Sequence, residues 1–385
     1  MKKKAHVLQV TGTMNRGGAE VMLMDLYRNI STDTRFDFLI NVKDSQNIEK
    51  GDFDEEIHQL GGRIEYIGTQ WSLGPIKYIS HFKKIIQKVG LPDVVHIHLN
   101  AKCGIIAMAA SLCGVKKIIA HSHADLKFRG SFLHVLGCTL ELKFQKLLIA
   151  LFATDFWGCS PQANQSLFYG RYTDIGKTVV IKNAVNVAAY HSVEEEKTKI
   201  LKTSFGVTKD TLILGNVGRV VRHKRVDFII DVLNELKERG IDFLFVYAGR
   251  FDDKEYQNVI IQKIREYQLE SNVLHLGDRG DIPEIMSTFD VFVAPALKEG
   301  FGLVAAEAQA AGVPCVLYTG FPPNVDMGLN LVTFIDVFDV EKWADLILES
   351  QNRRCEDKYF IQQKIAKLGY DISENTKHIE QMYCS

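Results

Sequence analysis

The feature that most constrains this 385-residue chain is an alternation that runs through it twice, in which short apolar runs of strand length are separated by longer segments with helical spacing. Residues 6–11, 37–42, 63–67, 94–98, 117–120, 154–159 and 179–181 form the first series. Residues 212–217, 243–248, 273–276, 291–294, 315–318 and 331–335 form the second. Strands that alternate with helices pair in parallel, with helices covering both faces of the sheet. The chain is therefore expected to be α/β, with two doubly wound parallel sheets. Its length also exceeds what one hydrophobic core usually supports. The polar stretch 191–209, containing Glu194-Glu195-Glu196-Lys197, is expected to separate domains 1–190 and 191–371, with a C-terminal helix near 372–385 packing back on the first.

Composition removes several function classes. With 46% hydrophobic and 24% charged residues, the chain falls among folded globular proteins. Seven dispersed cysteines without a Cys-x-x-Cys pair suggest neither a disulfide framework nor a zinc ribbon. A net charge of -1 argues against a nucleic-acid partner, yet residues 1–190 hold 23 Lys plus Arg against 16 Asp plus Glu, while the remainder hold 23 against 31. A basic first half suits an anionic partner. The basic start Met1-Lys2-Lys3-Lys4 leads into a short strand and not a signal-peptide core, and the apolar run 146–153 is too short to span a bilayer, so the expected location is the cytoplasm.

In open α/β sheets ligands bind beyond the carboxyl ends of strands, which makes the residues there the informative ones. After the first strand, Gly12-Thr13-Met14-Asn15-Arg16-Gly17-Gly18-Ala19-Glu20 opens a helix whose free N–H groups suit a phosphate or sugar. It lacks the G-x-G-x-x-G spacing of a nicotinamide or flavin site, and a tight turn is the structural alternative. Strand 212–217 leads into Gly218-Arg219-Val220-Val221-Arg222-His223-Lys224-Arg225, where Arg219 and Lys224 could meet a diphosphate. Pro295-Ala296-Leu297-Lys298-Glu299-Gly300-Phe301-Gly302-Leu303 opens an alanine-rich helix carrying Glu307, and both glutamates suit sugar or ribose hydroxyls. The pairs His96-Ile97-His98 and His121-Ser122-His123 end strands; zinc is one reading, but no third ligand is evident. Asp52-Phe53-Asp54 matches D-x-D but opens an acidic run, which fits helix N-terminus chemistry better than metal binding.

Taken together, Arg219 and Lys224 followed by Glu299-Gly300-Phe301-Gly302 and Glu307 resemble the donor site of retaining glycosyltransferases of family four, the glycosyl transferases group 1, as seen in bacterial exopolysaccharide and capsule enzymes. The Gly17-Gly18-Ala19-Glu20 loop, the strand-end histidines, Cys159-Ser160-Pro161 and Lys182-Asn183 fall in the family's order. The resemblance implies a GT-B fold, two Rossmann-like domains facing across a cleft that closes on its substrates. It implies that Arg219 and Lys224 hold the donor diphosphate, Glu307 the ribose, and Glu299 the transferred sugar. Gly300, Phe301, Gly302, Leu303 and Val304 would offer backbone N–H groups, Arg279 would lie beside the base, and His123, or alternatively His121, would line the sugar site. Three departures from the common pattern, Arg225, Asn183-Ala184-Val185-Asn186 and Ala248-Gly249-Arg250, bear on sugar and nucleotide identity.

The implied activity is transfer of a sugar from a nucleoside diphosphate sugar, with a uridine diphosphate sugar favoured, to a glycan or polyprenyl-diphosphate-linked acceptor in surface polysaccharide assembly. No cofactor and no metal are expected. The rival readings are a sugar-nucleotide epimerase of the same fold and a catalytically silent nucleotide-binding partner subunit. Residues 76–89, apolar at helical spacing with Lys77, Lys83, Lys84 and Lys88 among them, are either core cover or a surface for anionic lipid at the inner face of the membrane, which residues 126–144 with Lys127 and Arg129 would extend.

Overall fold

Among the described residues, thirteen strands form two parallel sheets. The computed structural model describes residues 5–15, 17–44, 48–124, 126, 128 and 130–385. Lys2, Lys3, Lys4, Arg16, Lys127 and Arg129 lie outside them. The first sheet contains β1 (Ala5–Thr11), β2 (Thr34–Val42), β3 (Ile64–Gly68), β4 (Val94–Ile97), β5 (Lys117–Ser122), β6 (Asp155–Gly158) and β7 (Thr178–Val180), in the order β3-β2-β1-β4-β5-β6-β7. The second contains β8 (Leu212–Val217), β9 (Phe243–Ala248), β10 (Val273–His275), β11 (Val291–Ala294), β12 (Cys315–Tyr318) and β13 (Val332–Ile335), in the order β10-β9-β8-β11-β12-β13.

Successive strand residues feed opposite cores, as the two-residue period requires. Leu8 and Val10 join one buried cluster while Val7 joins another, and Leu212 and Leu214 divide from Ile213 in the same way. In both sheets the strand order reverses beside the first strand of the series, between β1 and β4 and between β8 and β11. These are the switch points where loops diverge and leave room for a ligand.

The chain divides into a first unit of residues 1–183 with 372–385 and a second of residues 184–371. The polar stretch expected to link them belongs to the second unit: Glu195–Ser204 is a helix, Phe205 and Val207 pack against that unit's core, and Lys202 lies 3.6 Å from Asp290. A charged surface helix and a polar linker share a composition, which is why sequence alone did not separate them.

The final helix, Ile372–Cys384, buries Ile372, Thr376, Ile379 and Tyr383, a stripe at helical spacing. Ile379 and Tyr383 join the cluster of Phe36, Phe38 and Trp157, while Glu380 accepts from the Ser31 N–H (2.7 Å) and Asn375 donates to the Lys182 carbonyl (2.6 Å). The helix is part of the first unit's core.

The two amphipathic segments considered for a surface role differ in the structure. In Pro75–Val89 the residues Tyr78, Phe82, Ile86 and Val89 are buried, with Ile79 and Ile85 packed beside them, so this ridge is core cover with its lysines outward. In the 21-residue helix Phe132–Phe152, by contrast, Phe132, Leu133, Leu136, Leu140, Phe144, Leu147 and Leu151 are exposed along one face, Phe132 by 79%. Among the described residues no helix is long and apolar enough to cross a membrane.

Replacing Ile379 by Ala should lower the first unit's stability by about 2–4 kcal/mol, the usual cost of truncating a buried isoleucine. Chemical denaturation followed by Trp157 fluorescence reads this; an unchanged midpoint would show that the helix is not integral.

Candidate functional site

At the second unit's switch point the loops after β8 and β11 are bonded together. The Leu297 N–H donates to the His223 carbonyl (2.8 Å), and the Glu299 N–H donates to the Gly320 carbonyl (2.9 Å) in the loop after β12. Lys224 and Glu299 form an ion pair with both side chains mostly buried. The Lys224 ammonium lies 3.8 Å from where a Cβ on residue 218 would stand. Gly249, at φ +142°, lies so close to the Gly218 carbonyl that a Cβ there would approach its oxygen to 2.0 Å, so β8 and β9 can end side by side only with glycine at this position.

The remaining cations of this loop divide by partner. Arg219 reaches Asp252 (2.7 Å) and stays half-exposed, whereas Arg222 is held by Asp253 (3.0 Å) and Glu255 (3.4 Å). Arg225 has the left-handed φ of +56°, a conformation that glycine adopts at less cost. It is retained here by Asp227 (3.3 Å) and by the Phe338 ring, 4.7 Å away.

Gly302, at φ +86° with the Phe321 ring 2.4 Å from any added Cβ, caps the helix Leu303–Ala310. The N–H groups of Leu303 and Val304, in its first turn, have no carbonyl partner within the helix, while Ala305 donates to the Gly302 carbonyl (2.9 Å). Phe301 is fixed by stacking on Tyr370 (4.8 Å). Glu307 stands half-buried in the second turn between buried alanines. Arg279, after β10, is clamped by Asp281 (2.8 and 2.5 Å). The structure thus brings Lys224, Glu299 and the Gly302 cap together, with Arg219 on the Lys224 loop.

In the first unit Gly17 caps the helix Gly18–Asn29, with the Glu20 carboxylate folded back so close that a Cβ on Gly17 would lie 2.4 Å from it. Beside it, the histidine pairs that end β4 and β5 converge. His96 Nε2 lies 3.0 Å from His121 Nδ1, His98 Nδ1 lies 2.8 Å from His123 Nε2, His98 Nε2 meets Gln9 Oε1 (2.8 Å), and His96 Nδ1 meets the Tyr383 hydroxyl (2.7 Å). Asn100 Oδ1 accepts from the His123 N–H (2.6 Å). Burial pushes all four imidazoles below their ordinary pKa, His123 down to about 4.

Ring nitrogens of His96, His98 and His121 lie within 4.8 Å of one another, so the third nitrogen that sequence could not supply for a metal does exist. The nitrogens of His96 and His98, however, are all engaged with neighbouring side chains. Asp54 sits in the first turn of Asp54–Gln59, bonded by Tyr66 (2.6 Å) and the Gly51 N–H (3.0 Å), a structural role. Sequence reading missed a pocket of about 320 Å³ beyond β2, β3 and β4, lined by Asn41, Lys43, Thr69, Gln70, Trp71 and Lys102. The Lys102 ammonium lies over the Trp71 ring (4.8 Å) and pairs with Glu141 of the long exposed helix.

The family model for glycosyl transferases group 1 matches residues 197–366. Over 98% of the chain, and 96% of the relative, it is 34% identical to the putative glycosyltransferase EpsF of Bacillus subtilis. The chain belongs to the glycosyl transferases group 1. This glycosyltransferase is also 28% identical to the UDP-Gal:alpha-D-GlcNAc-diphosphoundecaprenol alpha-1,3-galactosyltransferase of Escherichia coli, over 76% of the chain and 75% of that protein. Anabaena Alr3699/HepE, solved with UDP and glucose, superposes on the glycosyltransferase with a TM-score of 0.75 at 19% identity, covering 99% of this chain and 100% of its own. A glycosyltransferase from Rickettsia africae gives 0.76 at 15% identity, covering 99% and 98%. The fold is GT-B.

The histidine cluster gives the glycosyltransferase a definite response to acid. The folded protein holds these rings neutral below pH 6.5, where the unfolded chain binds protons, so the cluster's contribution is constant above that pH and its cost to stability grows beneath it. Each ring contributes about 1.4 kcal/mol per pH unit until its folded pKa is reached. Melting temperatures should drop steeply between pH 6.5 and 5; a flat profile would show that the rings are protonated in the fold.

Proposed function

We propose that this glycosyltransferase moves a sugar from a uridine diphosphate donor, held by the second unit, to a glycan or polyprenyl-diphosphate-linked acceptor, held by the first, with retention and without a metal ion, in surface polysaccharide assembly. The observation that carries the reading is the Lys224–Glu299 pair beside the helix N-terminus at Gly302. Lys224 and Arg219 stabilise the diphosphate charge that builds as the C1–O bond breaks, a task that otherwise falls to a metal. The N–H groups of Gly300 to Val304 add donors at the same place. Glu307 binds the ribose hydroxyls and Arg279 borders the base.

Glu299 is already committed to Lys224, which suits it to hold sugar hydroxyls better than to attack C1. Departure and attack on one face follow: the acceptor oxygen bonds to C1 as the diphosphate leaves, and its proton passes to a leaving phosphate oxygen. Retention of Arg219, Lys224, Glu299 and Glu307 favours an active transferase over a silent subunit, and an epimerase would form product from donor alone.

For the acceptor, the pocket with Trp71, Lys43 and Lys102 supports binding of an anionic, partly apolar group, and the E. coli relative's name specifies a diphosphoundecaprenol-linked acceptor. The exposed face of Phe132–Phe152 supports contact with an anionic bilayer, since Lys143 stands within that apolar stripe and the exposed Trp71 lies nearby through Lys102.

Purified protein in chelator, given a panel of nucleoside diphosphate sugars with a diphosphate-lipid acceptor, should release nucleoside diphosphate and form a retained linkage by NMR. Glu299→Ala or Lys224→Ala should slow turnover about 100-fold while the fold persists. Inverted product or loss of activity in chelator would overturn the mechanism. Separately, wild-type protein should sediment with phosphatidylglycerol vesicles at low salt and the Leu140→Glu/Leu147→Glu variant should not; indifference to vesicles in both would remove the membrane contact.

A further inference from the structure

The histidine cluster carries directional information. A neutral imidazole has one N–H and one bare nitrogen, so in a chain of such rings the choice made at one end is passed to the other. Desolvation keeps these four rings neutral, and the direction is set by one amide, that of Gln9.

Gln9 Nε2 donates to the Tyr383 hydroxyl (3.3 Å), which leaves Oε1 to accept from His98 Nε2–H (2.8 Å). His98 Nδ1 is then bare and accepts from His123 Nε2–H (2.8 Å), leaving His123 with a bare Nδ1 that has no partner among the described residues. On the second branch Tyr383, already receiving from Gln9, gives its single proton to His96 Nδ1 (2.7 Å), and His96 Nε2–H donates to His121 Nδ1 (3.0 Å). His121 keeps its proton on Nε2, buried and without a partner among the described residues. A half-turn of the Gln9 amide would reverse every bond, and all four rings would carry the proton on Nδ1.

We propose that Gln9 and Tyr383 are positioning residues that hold His123 in the tautomer whose bare Nδ1 accepts a hydrogen bond from a sugar hydroxyl. This rests on the reading of His123 as a sugar-site residue; the roles of Gln9 and Tyr383 are additional to it. The consequence for substrate class is direct. Whichever substituent of the sugar faces this lone pair must offer a proton, so a hydroxyl is accepted there and a carboxylate is repelled. The selecting side chain lies on the last helix, 374 residues from Gln9.

Long-range ¹H–¹⁵N correlation spectra of ¹⁵N-histidine-labelled protein report which ring nitrogen bears the proton. In the full-length wild type His96, His98, His121 and His123 should all be Nε2–H. Tyr383→Phe removes the group that orients the amide without changing the ring's volume, and should give mixed tautomers with kcat/KM lowered about ten-fold, the scale of one well-placed hydrogen bond. A merely structural role for Tyr383 would leave the tautomers alone. Nδ1–H at His123 in the wild type, or unaltered tautomers in Tyr383→Phe, would sink the proposal. Because the wild-type spectrum needs no turnover, failure of the tautomer assignment is distinguishable from failure of the transferase reading.

Discussion

The ion pair between Lys224 and Glu299 is the contact on which the second unit's site depends. It joins loops that follow different strands, on either side of the point where the strand order reverses. Neither partner could be placed there by local structure alone. β8 and β11 must first be neighbours, Gly249 must let β9 end against Gly218, and Gly302 must turn the chain into its helix with Phe321 packed beneath. The parallel sheet thus fixes the spacing, and the charged pair fills it. Around the pair, the other cations are held by acidic neighbours, so the loop is an ordered set of donors and not loose positive charge.

Much of this was legible in the sequence because it is written locally. Apolar runs announce strands, and residues after strand ends announce ligand loops, so Arg219, Lys224, Glu299 and Gly302 could be singled out before their positions were known. What could not be read is what depends on strand order. The histidine pairs were visible as two separate motifs, yet their meeting requires β4 to lie beside β5, and Gln9 and Tyr383 join from β1 and the final helix. The helices Pro75–Val89 and Phe132–Phe152 show the same limit, since periodicity reveals an apolar face without saying whether a sheet or solvent receives it.

The two units solve related problems with different materials. Each begins a helix at a glycine in a loop that follows a strand, at Gly17 and at Gly302. In the second unit the neighbouring side chains are charged and partly accessible. In the first they are imidazoles kept neutral by burial, whose influence lies in where protons sit and not in how many there are.

The path of the chain has a consequence for its synthesis. The first unit takes residues from both ends of the sequence, while the second is a continuous insert, 184–371. On the ribosome the insert has all its strands before the helix Ile372–Cys384 exists, so the unit that begins first is completed last. Until Tyr383 emerges, the surface around Phe36 and Trp157 lacks its cover. A nascent chain stalled before the helix Ile372–Cys384 is made would carry a first unit with that apolar surface uncovered, and quality control that senses such surface would recognise it there.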